Sequence, residues 1–150
     1  MKLSTKGRYG VMAMVDLAQF AAAGPVALSE VAERQEISLS YLEQLFAKLR
    51  RAGLVTSVRG PGGGYLLARE PSELRVSDIF LAVEDPSREK RCSPGMPSLC
   101  AARTEKCATH DLWAGLGNEV FRYLSSVTIA DVMSGGARSP LVHSEAYAAE

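Results

Sequence analysis

A winged helix-turn-helix fold, mainly α with one small β-hairpin, is what this sequence predicts. Three observations predict it. After Ser38, the residues Leu42, Leu45, Phe46 and Leu49 recur at helical spacing, and Ser40, Glu43, Gln44, Ala47, Lys48 and Arg51 repeat on the opposite side. Residues 54–59 and 65–68 read as strands around Gly60-Pro61-Gly62-Gly63-Gly64, which cannot be helical and suits a turn. A shorter helix precedes the first by three or four residues, the spacing of a helix-turn-helix.

Taken in order, Ser4 and Thr5 can cap a first helix over residues 6–23. Residues 11–23 are apolar nearly all round, broken by Asp16 and Gln19, so this helix is expected at the centre of the domain. Lys2, Lys6 and Arg8 sit at its start, where cations oppose the helix dipole. A phosphate partner accounts for them; plain solvent exposure is the alternative. Gly24-Pro25 breaks the chain. Leu28-Ser29 opens a short helix over 30–35, with Val31 and Ala32 inward, and Glu36-Ile37-Ser38 connects it to the next.

That next helix carries the polar outer face, begins under a Ser38 cap, and stops near Gly53, a residue suited to a C-terminal cap. It is expected to enter a DNA major groove. The hairpin, with Arg59 and Gly60 at its tip, is expected along the backbone or in the minor groove. A solvated surface helix and an ordinary glycine-rich hairpin are the bland alternative. Glu70-Pro71-Ser72 then turns the chain, and Ser77 is expected to cap a helix over 78–83, with Ile79, Phe80 and Val83 apolar. Residues 1–83 form the predicted DNA-binding domain.

Residues 84–109 read as a loop, longer than is common without a function. A long helix is expected from His110 to Val127. Trp113, Leu116, Val120, Tyr123 and Val127 form a heptad-like seam, widened by Leu112, Phe121 and Leu124. So much apolar surface needs a partner, and a second copy of the chain is the economical one, because a two-fold axis lets one face cover itself. Thr128 can cap a last turn through Met133, so residues 110–133 make the expected dimerisation unit. Residues 134–150 read as a mobile tail.

Bulk composition agrees with a globular protein of 150 residues and zero formal net charge. The charge is unevenly placed. Residues 1–69 hold nine Lys or Arg against five Asp or Glu, and residues 70–150 hold eight against twelve. The half with the groove-reading helix is the basic half, as a nucleic-acid partner requires. No apolar run reaches the roughly 20 residues of a membrane helix, and no secretory leader pattern opens the chain, so a cytoplasmic location is expected. Enzyme classes find little support: no nucleophile has an evident base, and Gly60 to Gly64 lacks the lysine and helix of a phosphate loop.

Three cysteines are an odd number and no disulfide framework. Cys92 and Cys100 are separated by seven residues, Cys100 and Cys107 by six, and Cys107 and His110 by two. Three thiolates and an imidazole can complete a tetrahedral zinc site or hold an iron–sulfur cluster. The spacings match neither zinc knuckles nor ferredoxin runs. Lys90, Arg91, Arg103 and Lys106 would offset the negative charge. A metal-free thiol redox sensor is the remaining alternative.

Several stretches together are similar to the IscR family of bacterial iron–sulfur cluster regulators. These are Leu3-Ser4-Thr5-Lys6-Gly7-Arg8-Tyr9, Ser38-Leu39-Ser40-Tyr41-Leu42-Glu43-Gln44-Leu45-Phe46, Val58-Arg59-Gly60-Pro61-Gly62-Gly63-Gly64-Tyr65, and Cys107-Ala108-Thr109-His110 followed by Leu112-Trp113. The resemblance covers residues 1–133. It implies a homodimeric transcription factor on a palindromic DNA operator, controlling iron–sulfur assembly genes. It implies a [2Fe–2S] cluster held by Cys92, Cys100, Cys107 and His110. The gaps between cysteines are wider here than in the family pattern; a [4Fe–4S] relative has comparable ones, so cluster type stays open. The resemblance places Ser40, Glu43 and Gln44 at base edges, with Glu43 as a discriminator, and Ser38 and Tyr41 beside them. It sends Arg59 and Gly60 to the minor groove, leaving Lys2, Lys6, Arg8, Lys48, Arg50 and Arg51 as phosphate contacts.

Overall fold

The computed structural model describes residues 4–84 and 109–137, with the His110 side chain outside that set. Helix α1 (Thr5–Phe20) starts where Ser4 Oγ accepts from the Gly7 N–H at 3.0 Å, and it ends in a single 3-10 turn over Ala21–Ala23. It packs against α2 (Leu28–Gln35), α3 (Leu39–Arg51), β2 (Gly64–Leu67), α4 (Val76–Val83) and α6 (Ile129–Met133), which is the central place expected from its apolar composition. Close approach to α4 depends on two glycines inside the helix. A Cβ at Gly7 would enter the Phe80 ring, and one at Gly10 would press on Ile79 Cγ2 at 3.1 Å.

The helix-turn-helix is made by α2 and α3. Glu36 takes the left-handed conformation at φ 53°, and the Ile37 N–H donates to the Ala32 carbonyl at 3.0 Å, so the turn closes within two residues. Strand β1 (Val55–Val58) pairs antiparallel with β2 in the register Val55 with Leu67 and Val58 with Gly64. Val26 adds a one-residue bridge to Tyr65, with N–H to carbonyl distances of 3.0 and 2.8 Å in the two directions. The wing is thereby tied to the chain that leads into α2. A Cβ at Gly64 would fall on the Val26 carbonyl, so this junction needs glycine.

The core joins all these pieces. Ala13, Met14, Leu17, Val31, Leu42, Phe46, Leu49, Leu74, Ile79, Val83 and Ile129 are all fully buried. Phe46 and Tyr65 meet edge-on with centroids 4.9 Å apart, linking α3 to the wing.

Two expectations change here. Ser77 does not cap α4. The helix begins at Val76, Ser77 is its buried second residue, and Asp78 Oδ2 accepts from the Arg75 N–H at 3.2 Å instead. A carboxylate at the third helical position reaches back to the N–H of the residue before the helix, which starts the helix one residue ahead of Ser77. Val127 also leaves the expected seam. Helix α5 (His110–Ser126) is followed by an extended link in which Val76 donates to Val127 and Ile129 to Leu74, at 3.0 and 2.9 Å. Val127, read as the last seam residue, is buried by this pairing, and α6 packs on α1. Thr128 caps α6, as expected.

Candidate nucleic-acid interface

Helix α3 separates its faces as its spacing predicts. Leu42, Leu45, Phe46 and Leu49 are buried, while Ser40, Glu43, Gln44, Ala47 and Arg51 are exposed. Ser38 caps it: its Oγ accepts from the Tyr41 N–H at 3.4 Å and lies 2.9 Å from Ser40 Oγ. Two hydroxyls, a carboxylate and a carboxamide therefore sit at the amino-terminal half of an exposed helix. That is the part of a recognition helix that meets base edges. No acidic residue stands in the first turn and three basic ones stand in the last.

The wing tip is built from glycines. Gly60 and Gly62 have φ values of 101° and 72°, and the Gly63 N–H closes the turn on the Gly60 carbonyl at 2.9 Å. Arg59 and Gly60 are exposed at this tip. Arg50 Nη1 donates to Ser57 Oγ at 3.4 Å, which ties the end of α3 to β1. On α1, Arg8 is exposed and Lys6 half-buried. Lys2 lies outside the described residues.

Two residues expected on the DNA face also reach toward the rest of the fold. Lys48 is half-buried, and its Nζ donates to the Val83 carbonyl at 3.1 Å. Its ammonium reaches α4, which helical spacing alone cannot reveal. Tyr41 is half-buried and meets Tyr9 edge-on at 5.9 Å. Burial pushes its phenol pKa up, and the charges of Tyr9 and Glu84 add to the shift.

One constellation was not anticipated. Asp16 is buried in the apolar face of α1, yet it accepts from Arg34 through Nε at 3.2 and 3.1 Å, from Arg34 Nη2 at 2.7 Å, and from Gln35 Nε2 at 2.8 Å. The hydrogen bond to Asp16 raises the Arg34 pKa; burial opposes it, and the nearby charges of Asp16, Glu30 and Glu33 add to the rise. The guanidinium also stacks on Phe20, 4.0 Å from its centroid. Arg34 and Gln35 are the last residues of α2, so this cluster clamps the turn that aims α3. The available signal was an aspartate directly before buried Leu17 and three positions after buried Ala13.

The predicted ligands Cys92, Cys100 and Cys107 lie outside the described residues. His110 is the first residue of α5, and α5 packs on α4. Among the described residues, no group of three His, Cys, Asp or Glu is placed to hold a metal, and no helix is long and apolar enough to cross a membrane.

Comparison with known proteins places this arrangement. Residues 3–135 match Rrf2, a family described as iron-dependent transcriptional regulators. The HTH-type transcriptional regulator IscR of Photorhabdus laumondii is 46% identical over 134 residues, covering 89% of this chain and 80% of that one. The solved structure of T. potens IscR superposes with a TM-score of 0.73 at 41% identity, covering 100% of this chain and 93% of the other. That of CymR, described as the global cysteine regulator of B. subtilis, gives 0.72 at 38%, covering 90% and 98%. The chain belongs to the Rrf2 family and is a DNA-binding transcriptional regulator of the IscR type.

Proposed function

We propose that this regulator senses iron–sulfur cluster supply, acting in the cytoplasm as a homodimer on a palindromic operator of iron–sulfur assembly genes. Cys92, Cys100, Cys107 and His110 would hold a [2Fe–2S] cluster. The donor chemistry fits: three thiolates and one imidazole complete the four protein ligands such a cluster takes. Bound, the cluster supplies an occupancy that tracks iron and sulfide availability. The observation that carries the reading is the position of His110. It opens α5, directly after the cysteine-bearing segment, and α5 rests on α4, which in turn packs on the groove-reading helix.

Each of the chain's own residues then has a task. Gln44 suits the paired donor and acceptor of adenine, and Glu43 can accept from cytosine N4. Arg59 suits a narrow minor groove, where the potential is most negative. Lys6, Arg8 and Arg51 suit phosphates, which set register without reading sequence. His110 must lose its ring proton to ligate, so cluster retention weakens as pH falls.

Anaerobic purification with iron and sulfide quantification tests the reading. Coloured protein with two irons and two sulfides per chain is the expected result. Four irons would replace the cluster type, and colourless protein with stoichiometric zinc would reject cluster sensing. His110→Ala should keep binding to cluster-independent sites and lose the cluster-dependent ones. Retention of both would reject the coupling.

A further inference from the structure

Val83 ends α4, and its carbonyl is one of the last-turn oxygens that no helical N–H reaches. Lys48 supplies the missing donor from α3, with Nζ 3.1 Å away. A cation at this point also meets the negative end of the α4 dipole. The Val83 side chain is fully buried, so the oxygen is held in place by packing on its own helix. Glu84 follows in extended conformation and leaves the helix.

Lys48 lies one turn beyond Gln44 and two turns beyond Tyr41. Tyr41, on the flank shared with Lys48, feels the charge of Glu84. The end of α4 therefore runs along one side of the reading helix, while Glu43 and Gln44 face outward. Cys92 follows Val83 by nine positions in the chain.

We propose that Lys48 is a positioning residue that locks the carboxyl end of α4 to the reading helix. The groove-reading face and the start of the cysteine-bearing segment then respond as one unit. The inference rests on the sensing role given above, but the lock itself is a property of α3 and α4. Coupling of this kind is reciprocal. What fixes the chain after Val83 biases α3, and DNA seated on α3 steadies the last turn of α4. Lys48 is on this account not a phosphate contact.

The test uses the cluster-free full chain and a duplex enriched from a random-sequence library by the wild-type protein. Hydrogen exchange is followed across residues 80–84, where the Glu84 N–H donates to the Phe80 carbonyl at 3.0 Å. The duplex should slow exchange there by about five-fold or more in the wild type. Lys48→Arg, which keeps a donor, should transmit the protection, and Lys48→Met, which keeps only the stem, should not. The slope of log affinity against log salt should be the same in all three. Unchanged exchange in the wild type overturns the proposal, as does full transmission in Lys48→Met. A slope that falls by about one in Lys48→Met also overturns it, because Lys48 would then be neutralising a phosphate. A lowered melting temperature with protection still transmitted means a merely structural lysine and overturns it too. If protection passes through Lys48 while cluster loading leaves DNA binding unchanged, the sensing role fails and the lock stands.

Discussion

On the proposed function, site choice turns on Glu43. It stands exposed between two buried positions, Leu42 and Leu45, so its backbone is fixed while its carboxylate is free to meet a base. Its neighbours in space, Ser40 and Gln44, are neutral. A carboxylate repels phosphate and matches only the cytosine amino edge cleanly, so it penalises guanine and thymine. Removing it should widen the range of bound sites. In gel-shift titrations, Glu43→Ala should let cluster-free protein bind duplexes that the wild type grips only when loaded, tightening them by about 1–3 kcal/mol. Unchanged selectivity would remove Glu43 from base reading. This outer face was legible in the sequence because helical period alone separates Glu43 from Leu42. Lys48 was not legible: a four-carbon stem can turn its ammonium off the face its Cα occupies, and the acceptor lies 35 positions away in sequence. Asp16 was seen only as an interruption. Its burial depends on Arg34 and Gln35, which come from the next helix. Removing Arg34 would leave the buried Asp16 carboxylate with the Gln35 carboxamide in place of a paired cation, and should lower the melting temperature.

At the scale of elements, caps and links decide where helices stop, and these were read unevenly. Ser4, Ser38 and Thr128 cap as their types predict. Ser77 does not, because the helix starts one residue before it, at Val76, and its side chain is buried inside the first turn, while Asp78 accepts from the Arg75 N–H. Thr128 and Asp131 form the reciprocal box of α6. Asp131 Oδ2 accepts from the Thr128 N–H at 2.9 Å and from Oγ1 at 2.7 Å, and the Asp131 N–H donates to Oγ1 at 3.1 Å. The backbone hydrogen bond, then the hydroxyl, hold the Asp131 pKa below its ordinary value of 3.8. A carboxylate depressed in the folded state stabilises above its ordinary pKa and loses that contribution as pH falls through the depressed value. Wild-type stability should therefore decline below about pH 4 more steeply than that of Asp131→Asn. Urea unfolding of both proteins over that range measures it. Parallel declines would mean the box does not titrate with folding. The link matters beyond its own helix, since Val127, Thr128 and Ile129 return the chain to the core and fix the far end of α5.

For the whole molecule, the decisive feature is the surface that α5 leaves open. Leu112 is 63% exposed, Phe121 47%, Leu116 39%, Tyr123 37% and Trp113 36%. Five large apolar side chains exposed on one 17-residue helix make a patch that calls for a partner, and burying what each still exposes would contribute on the order of 1 kcal/mol. The seam was legible because heptad spacing survives in sequence; its end was not, because only the pairing with Val76 shows that Val127 turns inward. A second copy is the occupant that would also account for the proposed palindromic target. A two-fold dimer presents two copies of α3, and a palindrome presents two half-sites. In the proposed dimer the basic half of the chain would face DNA in both subunits, while α5 lies in the acidic half. A charge placed in the seam would have to be desolvated without a partner. Leu116→Asp should therefore shift the protein to monomer at micromolar concentration in sedimentation velocity. Each monomer should keep its fold, because Leu116 is exposed and no part of the core. Affinity for a palindromic duplex should fall by about two orders of magnitude, since the tethering of two reading helices is lost, while affinity for a single half-site should hold. A variant that stays dimeric, or a monomer that grips the palindrome as tightly as before, would show that α5 covers something other than its own copy.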